Sequence, residues 1–318
     1  MEQPLVSVIC LCYNHGRFIT EAIESVITQT YTNLQVIVVD DASTDESVAE
    51  ILKLKDQHPV LDLILLQKNI GNCTAFNVAF KLAQGKYIID FATDDVMMPT
   101  RIEKQVNFFE TQAENVGVVF TDATYIDEKG EFLRNHFEYL FKKRLISNIQ
   151  TGDVYRNVVS TYFIPGPAMM TKRTVLVTLG GYDEKLAYED FDFWARSARE
   201  FKYSFLNERL THIRKLSRSM STGLYLPGDK QLHSTYLVCK KIQQLNRDEG
   251  DEDALIKRLR YEFRQSVFSG NFTEGHLFFN LLKELGSVSL PYQILFYISR
   301  KRVPLTWLRN LYHKIRYS

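Results

Sequence analysis

No stretch of this 318-residue chain reaches the roughly 18 consecutive apolar residues that a membrane-spanning helix requires. Cysteine is scarce. Cys10 and Cys12 alternate within a short apolar run, Cys73 and Cys239 stand alone, and no second metal-spaced pair exists. The four therefore read as reduced, small hydrophobic side chains in a reducing compartment. Charge of one sign is lacking as well. The net charge is +1, and no motif of a nucleic-acid module is visible, so nothing argues for a nucleic-acid partner. The first apolar run is followed by Cys12-Tyr-Asn-His-Gly-Arg17 and not by Gly-x-Gly-x-x-Gly, which argues against a dinucleotide-binding dehydrogenase. There is no internal repeat and no low-complexity segment. Strand signal begins within a few residues of Met1, so no leader is expected ahead of the fold.

What is present is an ordinary soluble composition, 45% hydrophobic and 24% charged. Val6-Ser-Val-Ile-Cys-Leu11 and Val36-Ile-Val-Val39 are nearly continuous apolar runs, as expected of strands buried on both faces. Residues 61–66 and 87–92 give two more strands. Between them, apolar residues recur at helical spacing over 17–30, and Ser43-Thr-Asp-Glu46 reads as a capping box opening a helix through about residue 55. Further helices are expected over 72–84, stopped by Gly85, and over 100–112. The order βαβαβαβα predicts an α/β fold: a mostly parallel, Rossmann-like sheet with helices on both faces. Beyond residue 117 the pattern loosens. A turn at Asp127-Glu-Lys-Gly130, a strand-like 168–170 and a short helix over 172–179 ended by Gly180-Gly181 can be read. From about residue 231 only helices are visible, with breaks near Gly270 and Pro291.

In doubly wound sheets ligands bind beyond the carboxyl ends of the strands. Three polar clusters fall there: Tyr13-Asn14, Asp40-Asp41 and Asp94-Asp95. The last is the most informative. Two adjacent carboxylates at the end of a buried strand are costly to dehydrate and repel each other. A divalent cation of the hard-oxygen kind, Mn²⁺ or Mg²⁺, relieves both problems and commonly accompanies a phosphate-bearing ligand. The alternative is structural: Asp95 caps the helix that follows and Asp94 is solvated.

Five ordered blocks resemble the family 2 glycosyltransferases. They are Val6-Ser-Val-Ile with Tyr13-Asn14; Ser25-Val-Ile-Thr-Gln-Thr-Tyr31; Val39-Asp-Asp-Ala-Ser-Thr-Asp45; Gly85-Lys-Tyr-Ile with Thr93-Asp-Asp95 and Pro99; and Gly180-Gly-Tyr-Asp-Glu184 with Glu189-Asp190 and Trp194-Ala-Arg196. They span residues 4–221, about two thirds of the chain. The resemblance implies the type-A nucleotide-sugar transferase fold over residues 1–225, with 226–318 as a C-terminal helical region. It implies an inverting, metal-dependent enzyme that takes a nucleotide-sugar donor, with UDP expected, to a glycan or lipid-linked acceptor in surface polysaccharide synthesis. Ala92 stands where the family's commonest Asp-x-Asp-Asp motif has its first carboxylate, which leaves fewer ligands for the cation.

By the same resemblance Tyr13 lines the base pocket and Asp41, favoured over Asp40, accepts a hydrogen bond from a base N–H. Asp95 holds the cation, and Asp94 reaches the ribose or a metal-bound water. Asp190 is the general base that takes the acceptor's proton, with Glu189 as competitor. Arg214 faces the diphosphate, although Leu216 replaces a histidine usual in that loop; Lys215, Arg218 or His212 can compensate. Each residue also has a structural reading: Tyr13 as a rim aromatic, Asp41 as a helix cap, Asp190 as an N-cap, Arg214 as part of a solvated basic loop, Trp194 as core. Residues 291–318 mix aromatics with basic residues and hold no acid, and 303–312 read as a basic amphipathic helix, which suits an anionic membrane surface or, equally, docking on the chain itself or a second subunit. A cytoplasmic location, at the inner face of a membrane, is the matching expectation. Two other activities stay open. A sugar nucleotidyltransferase is disfavoured because no glycine- and arginine-rich loop follows the first strand. A non-catalytic glycan or nucleotide-sugar binder draws its support from Ala92 and Leu216.

Overall fold

The computed structural model describes residues 3–217 and 225–302, which fall into two compact units. The first comprises the chain up to Val154, Phe163–Lys185 and Ser197–Leu216. The second comprises Tyr155–Tyr162, Leu186–Arg196 and, of the described residues, those from Ser217 to Arg302. Two stretches that lie within residues 1–225 thus belong to the helical unit.

The first unit opens with β1 (Val6–Cys12), α1 (Ile19–Ile27), β2 (Leu34–Asp40), α2 (Ser47–Gln57), β3 (Asp62–Leu65), α3 (Asn72–Phe80) and β4 (Tyr87–Ala92). It continues with β5 (Val96–Met97), α4 (Arg101–Glu110), β6 (Val116–Ile126), β7 (Phe132–Asn135) and α5 (His136–Lys142). After α6 (Tyr155–Ser160), which belongs to the second unit, come β8 (Met169–Lys172), α7 (Arg173–Leu179), α8 (Asp190–Glu200), whose residues up to Arg196 are also of the second unit, and β9 (Lys202–Arg214). The strand order is β3-β2-β1-β4-β8-β6-β9-β5, with β7 beside β6. Strands β3, β2, β1 and β4 run parallel, as the alternation of strands and helices predicts. Every residue of β1 is buried, which is why its sequence is apolar without alternation.

The chain moves outward from β1 to β2 and β3, then returns through α3 to pair β4 with the other side of β1. That reversal opens a crevice at the carboxyl ends of β1 and β4. Beyond β4 the sheet becomes mixed: β8 is antiparallel to both β4 and β6, while β6 and β9 are parallel.

The second unit gathers α6 and residues 186–196 with α9 (Gln231–Leu245), α10 (Glu249–Phe268), α11 (Phe272–Glu284) and α12 (Leu290–Arg300). Asp248 caps α10 through the N–H of Asp251. Gly270, at φ +81°, makes the break before α11, and Pro291 lies in the first turn of α12, matching both expected interruptions.

Three local expectations change. The capping box does not form: Ser43 Oγ accepts from the Asn14 N–H, and α2 begins at Ser47, whose N–H and hydroxyl both donate to Asp45 Oδ1. Asp45 Oδ2 meanwhile accepts from the Gly16 N–H, so the segment is recruited by the neighbouring loop. α3 stops at Phe80, ahead of Gly85. The long strand β9 is absent from the sequence reading because its half-buried residues alternate irregularly.

Candidate active site

Strand register assembles the first half of the site. Cys12 pairs with Asp40, and Leu11 with Ala92, so β1, β2 and β4 end within one residue of a common row. The backbone continues that row, with Asp41 N–H donating to Cys12 O and Thr93 N–H to Leu11 O. Tyr13, Asp41 and the Asp94-Asp95 pair therefore leave the sheet side by side, as their places at strand ends predict.

Tyr13 is exposed, 46% of its surface reaching solvent, and follows directly on fully buried β1. Asn14 then takes a left-handed turn at φ +58° and is locked to the next loop, donating its N–H to Ser43 Oγ and accepting the Thr44 N–H. This turn presents the Tyr13 ring outward. Asp41 is buried, and its two oxygens accept the N–H groups of Ile70 and Gly71 at 2.7 and 2.9 Å. Each oxygen keeps a second lone pair for a further donor. Asp40 has a different job: its Oδ1 accepts the Ser43 N–H, which orients the loop.

Asp95 is 2% exposed, although it is a carboxylate at a strand end. Its Oδ1 accepts the Arg214 N–H at 2.8 Å. Burial, followed by the charge of Asp94, pushes its carboxyl well above the usual range; the Arg214 N–H, Lys215 and Arg101 oppose that rise. Asp94 is less deeply placed. The His15 imidazole lies 4.0 Å from Asp94 Oδ1, and its Nδ1 is 2.9 Å from the Thr93 hydroxyl. Among the described residues no group of three His, Cys, Asp or Glu side chains is placed to hold a metal ion. Two adjacent carboxylates, one of them dehydrated, do fit a Mg²⁺- or Mn²⁺-type cation that completes its shell with phosphate oxygens and water. They do not make an all-protein cage, which agrees with Ala92 in place of a third acid.

Arg214 stands beside this pair, but its guanidinium is committed to protein. Nε donates to Asp94 O at 2.9 Å, Nη1 to Asp127 O at 3.2 Å and Nη2 to Glu21 at 2.7 Å, with the Phe18 ring 4.8 Å away. It fixes the end of β9 against the carboxylates. Lys215 lies 4.8 Å from the Tyr125 ring, and burial and Arg134 pull its ammonium pKa down while Asp95 and Asp94 hold it up. Arg218 lies outside the described residues. Sequence reasoning missed His15, Arg101 and Glu21. His15 was legible as the residue after Tyr13-Asn14; the other two carry no local signal.

Asp190 belongs to the second unit. It is the first residue of α8, half-buried, and burial and then the neighbouring Glu189 push its carboxyl well above the usual range. The C-terminal helices hold the segment around it. The Ala187 N–H donates to Ser234 Oγ on α9, and the Tyr188 hydroxyl meets Thr235 Oγ1 at 2.7 Å and the Tyr162 hydroxyl at 3.3 Å. Asp192, buried, is gripped by Arg196 at 2.7 Å and Lys241 at 2.6 Å, so it points elsewhere than Asp190 is free to. Trp194 is core, packed on Tyr162. Beneath lies a buried ion pair. Arg258 stacks 3.7 Å over Tyr162, donates to Val159 O and pairs with Glu262 at 3.1 Å, and Glu262 also accepts the Tyr225 hydroxyl.

A parallel sheet with a reversal at β1 and β4, and paired carboxylates at that reversal, is the arrangement of an α/β fold that binds a ligand beyond its strand ends. The glycosyl transferase family 2 profile matches residues 7–177, and the chain belongs to that family. An uncharacterized glycosyltransferase of Methanocaldococcus jannaschii is 31% identical over 220 residues, 67% of this chain and 72% of that protein. The UDP-Glc:α-D-GlcNAc-diphosphoundecaprenol β-1,3-glucosyltransferase of Escherichia coli is 37% identical over 127 residues, 39% of this chain and 47% of that one. Among solved structures, Staphylococcus aureus TarS 1–349 in complex with UDP superposes with a TM-score of 0.63 at 20% identity, covering 91% of this chain and 76% of that one. The Pyrobaculum calidifontis mannosyltransferase in complex with GDP-mannose and Mn²⁺ gives 0.60 at 18%, covering 95% and 81%. The protein is thus a nucleotide-sugar-dependent glycosyltransferase.

Proposed function

We propose that this glycosyltransferase inverts the anomeric centre of a UDP-sugar in one displacement and delivers the sugar to a hydroxyl of a glycan or lipid-linked acceptor. The observation that carries the reading is the dehydrated Asp95 beside Asp94, in register with Tyr13 and Asp41. The E. coli relative acts on a UDP-sugar and a lipid diphosphate acceptor, and TarS 1–349 binds UDP, which supports the choice of nucleotide and acceptor class.

Tyr13 stacks on the nucleobase, and Asp41, held still by the Ile70 and Gly71 N–H groups, accepts the base N–H. Asp94 takes the ribose side and Asp95 the cation side. A bound Mn²⁺ or Mg²⁺ supplies positive charge for the departing diphosphate. Arg214 keeps Asp95 in place through its N–H, and Lys215 adds positive charge on the diphosphate side. Asp190 accepts the acceptor hydroxyl's proton as that oxygen bonds to the anomeric carbon; the bond from that carbon to the phosphate oxygen breaks, and UDP leaves with the electron pair. A base with a raised pKa gives up less driving force when it accepts a proton near neutral pH.

Calorimetric titration with UDP and with GDP, each with Mn²⁺ and with chelator, tests the donor half on wild type and Asp95→Ala. UDP binding that needs both metal and Asp95 is the expected result. Loss of turnover in Asp190→Ala with UDP binding retained separates an enzyme from a binder, since a binder keeps its glycan affinity without Asp190.

A further inference from the structure

The helix α12 has two apolar faces and only one of them is covered. Tyr292, Phe296 and Ser299, at spacings of four and three, turn inward. The Phe296 ring stacks on Phe279 of α11 at 3.9 Å, Ser299 Oγ meets His276 Nε2 at 3.0 Å, and the Tyr292 hydroxyl accepts from Arg264 of α10. On the opposite side Leu290, Ile294 and Tyr297, at the same spacings, are 67%, 53% and 62% exposed. One turn of the helix separates each from the next, so they form a continuous apolar stripe. A surface helix normally turns polar residues outward; here the outward face is the apolar one.

Charge identifies what the stripe meets. The stripe runs into Arg300, Lys301 and Arg302, with Lys301 Nζ 5.4 Å from the Tyr297 ring. No acidic residue occurs after Glu284, while Arg309, Lys314 and Arg316 follow in sequence. With a net charge of only +1 overall, the excess of basic residues is segregated at this end of the chain. A second copy docking through the same face would bring like charges together. An anionic bilayer takes both features at once: apolar side chains enter the acyl boundary, the aromatic ring settles at headgroup level, and the basic residues meet the phosphates. We infer that the outer face of α12 is a membrane-surface contact for anionic lipid. This goes beyond the transfer reaction and does not depend on which donor or acceptor the enzyme uses.

Co-sedimentation of the full chain with vesicles tests it, using phosphatidylcholine alone and phosphatidylcholine mixed with phosphatidylglycerol. Wild type is expected to pellet with the mixed vesicles, to stay in the supernatant with the neutral ones, and to be released by salt. Ile294→Glu with Tyr297→Glu should weaken binding at least tenfold. Arg300→Glu with Lys301→Glu should do the same, neutralising one basic residue being worth roughly fivefold near an anionic surface. All four positions are exposed, and an unchanged melting curve verifies the fold of each variant. Wild type that stays with neither vesicle overturns the inference, as do variants that bind as tightly as wild type. A wild-type dimer split by Ile294→Glu with Tyr297→Glu, without vesicle binding, overturns it in favour of a contact between copies.

Discussion

Asp95→Asn separates two demands made on one carboxylate. In the folded chain burial and the Asp94 charge raise the Asp95 carboxyl well above its ordinary 3.8. The folded state therefore holds that proton more tightly than the unfolded chain does. The stability linked to this group is fully present below the unfolded value and is lost as pH rises through the folded one. Above the unfolded value the Asp95 carboxyl is therefore a burden on the fold. The amide has nearly the same shape and keeps an oxygen for the Arg214 N–H, now a neutral bond, at a cost of about 1 kcal/mol. Relief of like-charge repulsion and of part of the dehydration gains on the order of 2–3 kcal/mol. In chelator the variant should therefore be more stable by about 1–2 kcal/mol, each kcal/mol raising the melting temperature by roughly 2–4 °C. Mn²⁺ and UDP should reverse the order, because only wild type gains stability from binding them. Thermal unfolding in chelator and in Mn²⁺ with UDP reads both effects. A variant less stable than wild type in chelator, or equal upward shifts for the two proteins on adding Mn²⁺ and UDP, refutes the reasoning.

Asp190→Asn should lower kcat by about 10²–10⁴ while leaving the Kd for UDP unchanged. In wild type, turnover should fall with decreasing pH at a midpoint above the ordinary carboxylate range, since burial and Glu189 raise the Asp190 carboxyl. Tyr188→Phe and Thr235→Val, which loosen the Asp190 segment, should reduce kcat several-fold with KM for the donor and the melting curve nearly unchanged; a fall in stability at constant kcat would assign the pair a purely structural role. Arg258→Met leaves Glu262 buried without its cation and should destabilise by about 3–5 kcal/mol, and adding Glu262→Leu should recover most of that loss in denaturant titration. Gly181→Ala forces a side chain into a left-handed turn at φ +82°, with its Cβ 2.5 Å from Asn77 Oδ1, and should cost about 1–3 kcal/mol by the same measurement.

The parallel half of the sheet was legible because burial on both faces leaves β1, β2 and β4 mostly apolar, with only Ser7, Gln35, Asp40 and Asp90 interrupting the runs. Acidic pairs at the ends of such strands were then conspicuous, and register alone brought Tyr13, Asp41, Asp94 and Asp95 to one edge. The sequence was silent where partners are remote. Arg214 looked like a loop cation, and nothing nearby indicates that Glu21, almost two hundred positions away, takes up its guanidinium. The apparent capping box failed for a similar reason: Asn14 and Gly16 compete for Ser43 and Asp45 from another loop. The basic amphipathic helix expected over 303–312 lies outside the described residues, and the outward stripe on α12 was invisible because two apolar faces on one helix read, in sequence, as simply a hydrophobic helix.

The second unit is stitched from stretches far apart along the chain, and this governs the order in which it can form during synthesis. The carbonyl of Val159 receives its Arg258 donor 99 residues later. At roughly 5–20 residues per second, a ribosome takes on the order of 5–20 s to deliver that partner. In that interval Tyr162 and Phe191 have been made but lack the Arg258 side chain that covers their rings. The nascent chain therefore passes through an aggregation-prone stage whose length is set by translation speed, and slower synthesis between residues 196 and 258 would lower soluble yield without altering the finished protein.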